Sequence, residues 1–408
     1  MILSDYSAAI LAFCLSTGLI FGLRPVARHL GLVDTPNERK IHEGEVPLVG
    51  GIAIFCSVVA AHMVSLVFSP VETTQTAYHA FYVAAALLVL VGMIDDYREL
   101  SPSTRIVVQI LAALIMVYGG GVVVRNLGNA PVAMDGVTLG VFAVPFTLFA
   151  TVGVINAVNM SDGLDGLAGS LALVSLVGFL IATLALGNGQ EAPLLAILSA
   201  SVMAFLLFNV TVPGKRRALI FLGDAGSMLL GFALVWFAVS LSQGAGNVIQ
   251  PASALWFLMV PIYDAVCMTA RRVLRRRPPF SADKEHLHHI FLLAGFTVTE
   301  TVLIMAGLAA IGVGIGFAGS YYSVPDFYLA ATFLIGGLLY FWMIVRSWSV
   351  MRFLRRSICR RRNIGDRRSY RERRRGGGSL HSGAERRSGI HRRIGTRGRR
   401  GEEIGPRS

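Results

Sequence analysis

The stretch Asn156-Ala-Val-Asn-Met-Ser-Asp-Gly-Leu-Asp-Gly-Leu-Ala-Gly169 decides how this chain is read. Asn156, Asn159, Asp162 and Asp165 recur at every third position, with Gly163 and Gly166 between and after them. On either side run apolar segments, about 139–156 and 166–186, that hold no Lys, Arg, Asp or Glu. Each is long enough to cross a bilayer as a helix. Four hydrogen-bonding side chains at such a junction are costly if they face lipid, and make sense if they line a wet pocket at the membrane surface. The glycines let backbone come close to a ligand there.

The same apolar pattern extends in both directions. Eleven spans are expected, at about 6–24, 48–68, 80–94, 104–122, 139–156, 166–186, 192–210, 226–241, 248–270, 301–320 and 327–345. A chain that is 54% hydrophobic and 15% charged agrees with this. The fold class is therefore an all-α, polytopic integral membrane domain over residues 1–347. Residues 348–408 form an Arg/Gly-rich tail, expected to be disordered because it has too little apolar surface to bury. The tail carries 20 Arg against 5 acids, whereas residues 1–347 carry 17 Lys+Arg against 19 Asp+Glu. The net charge of +13 thus belongs to the tail. Attraction to anionic lipid head groups follows from that charge, and with no folded binding module visible no nucleic-acid partner is expected. The four cysteines are scattered, so neither a disulfide nor a zinc site is read. The first apolar run has no basic start and is read as a membrane helix, not a cleaved signal.

Lys and Arg set the orientation. They follow the odd-numbered spans (Arg28, Arg39, Lys40, Arg98, Lys215, Arg216, Arg217, Arg271 and onward), while only Arg125 follows an even one. The N-terminus is then periplasmic and the C-terminus cytoplasmic. Every polar motif falls in an odd-to-even loop, so five distant loops meet one membrane face. A transporter would place such groups near mid-membrane, where only Asp264 and a few polar residues qualify. An enzyme working at the cytoplasmic surface fits better.

Each motif has a plain and a chemical reading. Asp95-Asp96 ends a span, where two carboxylates oppose the helix dipole. Arg98 could offset them, or a divalent ion could. Asp165 and Asp224, each at the start of an apolar span, could be helix caps, and such helix starts also suit phosphate. Asp264 is a functional candidate by its depth, with pairing to Arg271 or Arg272 as the simpler account. His286, His288 and His289 share a loop with Arg277 and Lys284, and read as donors to phosphate or sugar, or as proton carriers. Lys40 and His42 precede Val46-Pro-Leu-Val-Gly-Gly51, which suits an anionic head group.

Taken in order, these segments resemble the polyprenyl-phosphate N-acetylhexosamine-1-phosphate transferases, the membrane family that includes MraY, WecA and TagO. The carrying segments are Arg39-Lys-Ile-His42, Gly92-Met-Ile-Asp-Asp-Tyr97, Asn156 to Gly166, Phe221-Leu-Gly-Asp-Ala-Gly-Ser227 and His286-Leu-His-His289. Leu287 interrupts the His run, which looks like the WecA-like branch. The resemblance implies transfer of N-acetylglucosamine-1-phosphate from UDP-N-acetylglucosamine to undecaprenyl phosphate in a bacterial inner membrane, the first lipid-linked step of O-antigen or another surface polysaccharide. It implies Mg²⁺, with Mn²⁺ as the alternative ion, and is compatible with a homodimer. Asp224 is then the expected direct metal ligand, with Asp96 beside it, and Asp95 the base or orienter for the lipid phosphate. Asp162, Asp165 and Asn159 would hold the nucleotide or its waters, with Asn156 beside them. His286, His288, His289 and Arg277 would bind the diphosphate or amino sugar, and Lys40 and His42 the lipid phosphate. Other UDP-linked amino sugars, among them N-acetylgalactosamine, N-acetylfucosamine and MurNAc-pentapeptide, stay open as donors.

Overall fold

The computed structural model describes residues 2–34, 44–68, 75–130, 136–187, 189–211, 217–244, 246–276 and 286–346. Lys40, His42, Arg277 and the Arg-rich tail lie outside the described residues. The helices are α1 (Ile2–Leu30), α2 (Gly50–Phe68), α3 (Gln75–Arg98), α4 (Pro102–Leu114), α5 (Ala143–Ser161), α6 (Leu167–Leu186), α7 (Ala192–Asn209), α8 (Gly223–Ser242), α9 (Pro251–Phe257), α10 (Met259–Leu274), α11 (Leu287–Ala294), α12 (Val298–Tyr321) and α13 (Asp326–Val345). A two-residue antiparallel pair, β1 (Val33–Asp34) and β2 (Val46–Pro47), precedes α2.

Among the described residues, ten helices are long and apolar enough to cross a membrane, and α9 with α10 makes an eleventh span if that bent pair is counted as one. The chain is a multi-pass membrane protein. The third span, read as the short segment 80–94, is a helix of 24 residues that carries Asp95 and Asp96 within it. The ninth departs further from expectation. The continuous run 248–270 is broken at Leu258, and α9 and α10 meet at 83°. Pro261 explains the break. It has no N–H to give the carbonyl of Phe257 one turn earlier, and that carbonyl instead accepts from Ser175 Oγ at 2.7 Å.

The core is organised around α8, nearly all of which is buried. Trp236 and Phe232 pack on Phe81 with ring centroids 5.3 and 5.7 Å apart. Towards the start of α8 the packing becomes backbone to backbone. A Cβ at Gly92 would overlap the main chain at Asp224 and Ala225, and one at Gly51 would overlap that at Ala225 and Gly226. Gly231 meets the backbone of Ile155 in the same way. Small residues let helices approach closely where no water drives them together. Here they pull the end of α3 and the start of α2 onto the start of α8.

Candidate active site

The polar groups gather where α3 and α5 end and α4 and α8 begin. Asp95 and Asp96 stand in the last turns of α3, and the two carboxylates are compensated differently. Asp96 reaches across to α8. Its Oδ1 accepts from the Asp224 N–H at 2.7 Å and its Oδ2 from the Ala225 N–H at 3.3 Å. Leu222, at the N-cap position of α8, offers no side-chain cap, so the carboxylate of α3 caps the helix from outside. Gly223 makes room for it. Its φ of +71° is one that L side chains rarely adopt, and a Cβ would overlap the Asp96 carboxylate. The start of α8, which the sequence offers as a phosphate site, is filled by Asp96 in this structure.

Asp95 is almost wholly buried, its side chain 3% exposed. Oδ1 accepts from the Leu100 N–H at 2.6 Å, and Oδ2 lies 3.2 Å from Arg105. The same guanidinium is 3.8 Å from Asp224 Oδ2. The counter-charge expected from Arg98 therefore comes from Arg105, while Arg98 lies over the Tyr97 ring at 5.9 Å. Arg105 sits in the opening turns of α4, a helix begun by Pro102 and by Ser101, whose hydroxyl accepts from the Thr104 N–H at 3.2 Å. Sequence reasoning passed over it as part of an apolar span. The available signal was Gln109, four residues on and so on the same face. Gln109 is 1% exposed and accepts from Asn156 Nδ2 at 2.6 Å. Asn156 thus fastens α4, with Arg105 on it, against α5.

One turn further, Asn159 Nδ2 donates to Asp224 Oδ1 at 2.5 Å and to Ser227 Oγ at 2.8 Å. Asp162 follows the end of α5 and keeps an accessible surface. Its carboxyl is pushed up to about 7, first by desolvation and then by the charges of Asp224 and Asp165. Since solvent still reaches it, the desolvation is that of a crowded cleft and not of a sealed core, which leaves the two neighbouring charges the firmer cause. Asp165 does not cap α6. Its Oδ2 accepts from Thr211 Oγ1 at 2.8 Å and the Ala218 N–H at 3.3 Å, so it ties down the ends of the α7–α8 connection. The Gly166 N–H goes to Asn209 Oδ1 at 2.7 Å, and Asn209 Nδ2 donates to the Ile220 carbonyl at 2.9 Å. Asn209 is a second supporting residue not foreseen, since a lone Asn ending an apolar helix gives no pattern.

The histidines lie beside this loop. His286 Nδ1 is 2.7 Å from Asp264 Oδ2. The partners of Asp264 are thus His286, the Leu287 N–H and Tyr340, in place of the expected Arg271 or Arg272. The rings of His286 and His288 stack at 5.5 Å, and His288 meets His289 at 4.3 Å. His288 is 1% exposed and neither of its ring nitrogens has a hydrogen-bond partner. A Cβ at Gly163 would stand 2.8 Å from its Nε2, so the ring faces the Asp162 loop. Burial, then the neighbouring His289, lowers its pKa to about 3. His288 is neutral near pH 7.

The profile of Glycosyl transferase family 4 matches residues 78–242, which hold Asp95, Asp96, Arg105, Asn159, Asp162 and Asp224. The chain is 37% identical over 346 residues to the undecaprenyl-phosphate alpha-N-acetylglucosaminyl 1-phosphate transferase of Yersinia pestis, covering 84% of this chain and 92% of that protein. It belongs to glycosyl transferase family 4. Relatives of the same name from Salmonella typhi and Escherichia coli (strain K12) are 35% and 34% identical, across 95% and 92% of their lengths. These matches extend well beyond the segment that the family profile covers.

The resemblance to this family's transferases implies Mg²⁺. Among the described residues, no group of three or more His, Cys, Asp or Glu could hold a metal ion by itself. What is present is the Asp224 carboxylate, 29% exposed, with one oxygen held by Asn159 and the other facing Arg105. Mg²⁺ commonly takes one or two carboxylates, keeps waters and draws its other ligands from substrate phosphates. The donor set fits an ion held in that way, with Asp224 as its protein anchor.

Proposed function

We propose that this glycosyl transferase family 4 member transfers N-acetylglucosamine-1-phosphate from UDP-N-acetylglucosamine to undecaprenyl phosphate, giving undecaprenyl-diphosphate-N-acetylglucosamine and UMP. The carrying observation is the gathering of three carboxylates at one end of a membrane bundle, Asp95 and Asp224 beside Arg105, Asp224 also beside Asn159, and Asp96 on the backbone at Asp224. The names of its relatives support undecaprenyl phosphate as acceptor and N-acetylglucosamine 1-phosphate as the group transferred, and UDP as its carrier comes from the family resemblance. The distribution of Lys and Arg supports a cytoplasmic position for this end of the bundle, and the bacterial sources of the relatives support a bacterial inner membrane.

The chemistry asks little covalent help from the protein. An oxygen of the lipid phosphate attacks the phosphorus that bears the sugar. The bond from that phosphorus to the bridging oxygen breaks, and UMP leaves with the oxygen. The attacking phosphate is already ionised near neutral pH, so no proton need be removed. What must be overcome is repulsion between two anions, and positioning with charge neutralisation does that. Arg105 is placed for it, anchored by buried Asp95 and one-third exposed. Asp95 serves here to hold Arg105 in place, a better match to its burial than a base exposed to substrate. When bound through Asp224, Mg²⁺ would supply Lewis-acid polarisation of the diphosphate. Asp162 and Asn159 border the nucleotide side, and the buried ring of His288 backs the Asp162 loop.

The test is UMP release by the full-length protein in detergent, with undecaprenyl phosphate, Mg²⁺ and a panel of UDP-amino sugars. Release with UDP-N-acetylglucosamine, lost with EDTA, is expected. Release with another sugar alone would overturn the donor assignment and keep the reaction class. No release with any donor would overturn the reading.

A further inference from the structure

The last helix among the described residues reaches the carboxylate that faces His286. Asp264, in α10, is 2% exposed and has both carboxylate oxygens engaged. Oδ2 faces His286 Nδ1 at 2.7 Å, while Oδ1 accepts from the Tyr340 hydroxyl at 2.9 Å and the Leu287 N–H at 3.2 Å. Tyr340 belongs to α13, 76 residues away in sequence from Asp264. That helix is held at its other end as well. Asp326 accepts from the Ala252 N–H at 2.9 Å and the Asn129 N–H at 3.1 Å, and Trp256 Nε1 donates to the Leu329 carbonyl at 3.0 Å. Tyr340 therefore reaches Asp264 from a fixed support.

We propose that Asp264 and Tyr340 are positioning residues for the transfer, setting the orientation and tautomer of His286; this rests on the transferase reading above. A carboxylate facing Nδ1 keeps the proton on that nitrogen and leaves Nε2 as the working atom. With Oδ1 occupied by Tyr340 and Leu287, Asp264 cannot rotate away from His286 without breaking two other hydrogen bonds. The ring of His286 then stacks within 10° of parallel on His288, and His288 abuts Gly163 beside Asp162. The order of contacts is Tyr340, Asp264, His286, His288, Gly163. It links the C-terminal helix to the loop at the nucleotide side. A carboxylate that orients an imidazole acts through the imidazole, and exchanging it for an amide reverses the tautomer with little change of shape.

The experiment compares wild type, Tyr340→Phe and Asp264→Asn as full-length protein in detergent, with kcat expressed per folded molecule. If the inference holds, Asp264→Asn lowers kcat about 100-fold, the scale of one misplaced substrate-positioning group. Tyr340→Phe lowers it about 5-fold, the scale of one hydrogen bond, with KM for UDP-N-acetylglucosamine changed less than kcat in both. In ¹⁵N-histidine spectra the Nδ1–H form of one histidine is present in wild type and lost in Asp264→Asn. Both variants at wild-type kcat, or a fall in activity that only tracks lost folded protein, would overturn the inference and leave the transferase reading standing. A wild type inactive on every UDP-amino sugar would overturn the transferase reading and this inference with it.

Discussion

The guanidinium of Arg105 lies 3.2 Å from the carboxylate of Asp95, although the two belong to successive helices and one of them is buried. The pair therefore has separable duties. Removing Arg105 strips the site of a cation and leaves Asp95 a buried charge without compensation. Arg105→Ala should abolish turnover and lower stability by about 1–2 kcal/mol, less than for a fully buried pair because Arg105 is partly exposed. Adding Asp95→Asn to Arg105→Ala should recover most of that stability and none of the turnover. Thermal unfolding and UMP release on the four proteins of the cycle would show it.

Asp96 and Asp224 should not behave alike under the same substitution. Asp224→Asn removes the exposed carboxylate suited to the ion, so turnover should fall about 1,000-fold, the scale of a lost electrostatic contact at the reacting phosphate. Its unfolding midpoint should stay close to wild type. Asp96→Asn weakens the cap on α8 and should cost about 1 kcal/mol of stability, the usual worth of a cap. Unfolding curves collected beside the activity assay separate the two.

His288 gives a stability that depends on pH, with a sign that can be worked out. Its folded-state pKa is lowered to about 3, below the ordinary histidine value of 6.5. The unfolded chain then binds a proton that the folded one refuses, so stability is fully present above about 6.5 and declines as the pH falls from there towards 3, by at most about 1.4 kcal/mol per unit. His288→Asn should flatten that part of the curve. Unfolding midpoints of both proteins at pH 7.5, 6 and 5 would reveal the difference in slope, whatever their difference in level.

Gly92 separates packing from chemistry. It touches no candidate substrate group, yet any Cβ there overlaps the main chain at Asp224 and Ala225. Gly92→Ala should push α3 off α8, at about 1–3 kcal/mol for an overpacked contact. The resulting shift of Asp96 against Asp224 should cut turnover by about 100-fold, as displacements near 1 Å do. Gly307→Ala, where nothing lies within 4 Å of the added carbon, is the matched control and should change neither.

Much of this architecture was legible in the sequence because lipid imposes long apolar runs, and polar residues interrupting them stand out. The spans and the Asp95, Asp162, Asp224 and His286 neighbourhoods were found that way. What escaped was set by tertiary contact. The break at Leu258 leaves hydropathy unchanged, although Pro261 was its trace. Arg105 was absorbed into a span because one arginine near a helix end is ordinary. Asp264 was singled out by its depth and given the wrong partners, since His286 is 22 and Tyr340 is 76 residues distant. Asp96 was read as a metal ligand beside Asp224, and Asp165 as a helix cap or a holder of the nucleotide or its waters, and the structure shows each fastening one segment to another.

The burial of α8 bears on how the protein can move. Its residues are enclosed by protein almost throughout, and Asp224 stands in its first turn. Amide hydrogens in this helix should be among the last to exchange with solvent. Whatever opens and closes during a catalytic cycle must then be the neighbouring segments travelling around a stationary carboxylate. An inhibitor that gripped Asp224 would meet the same target in every conformation.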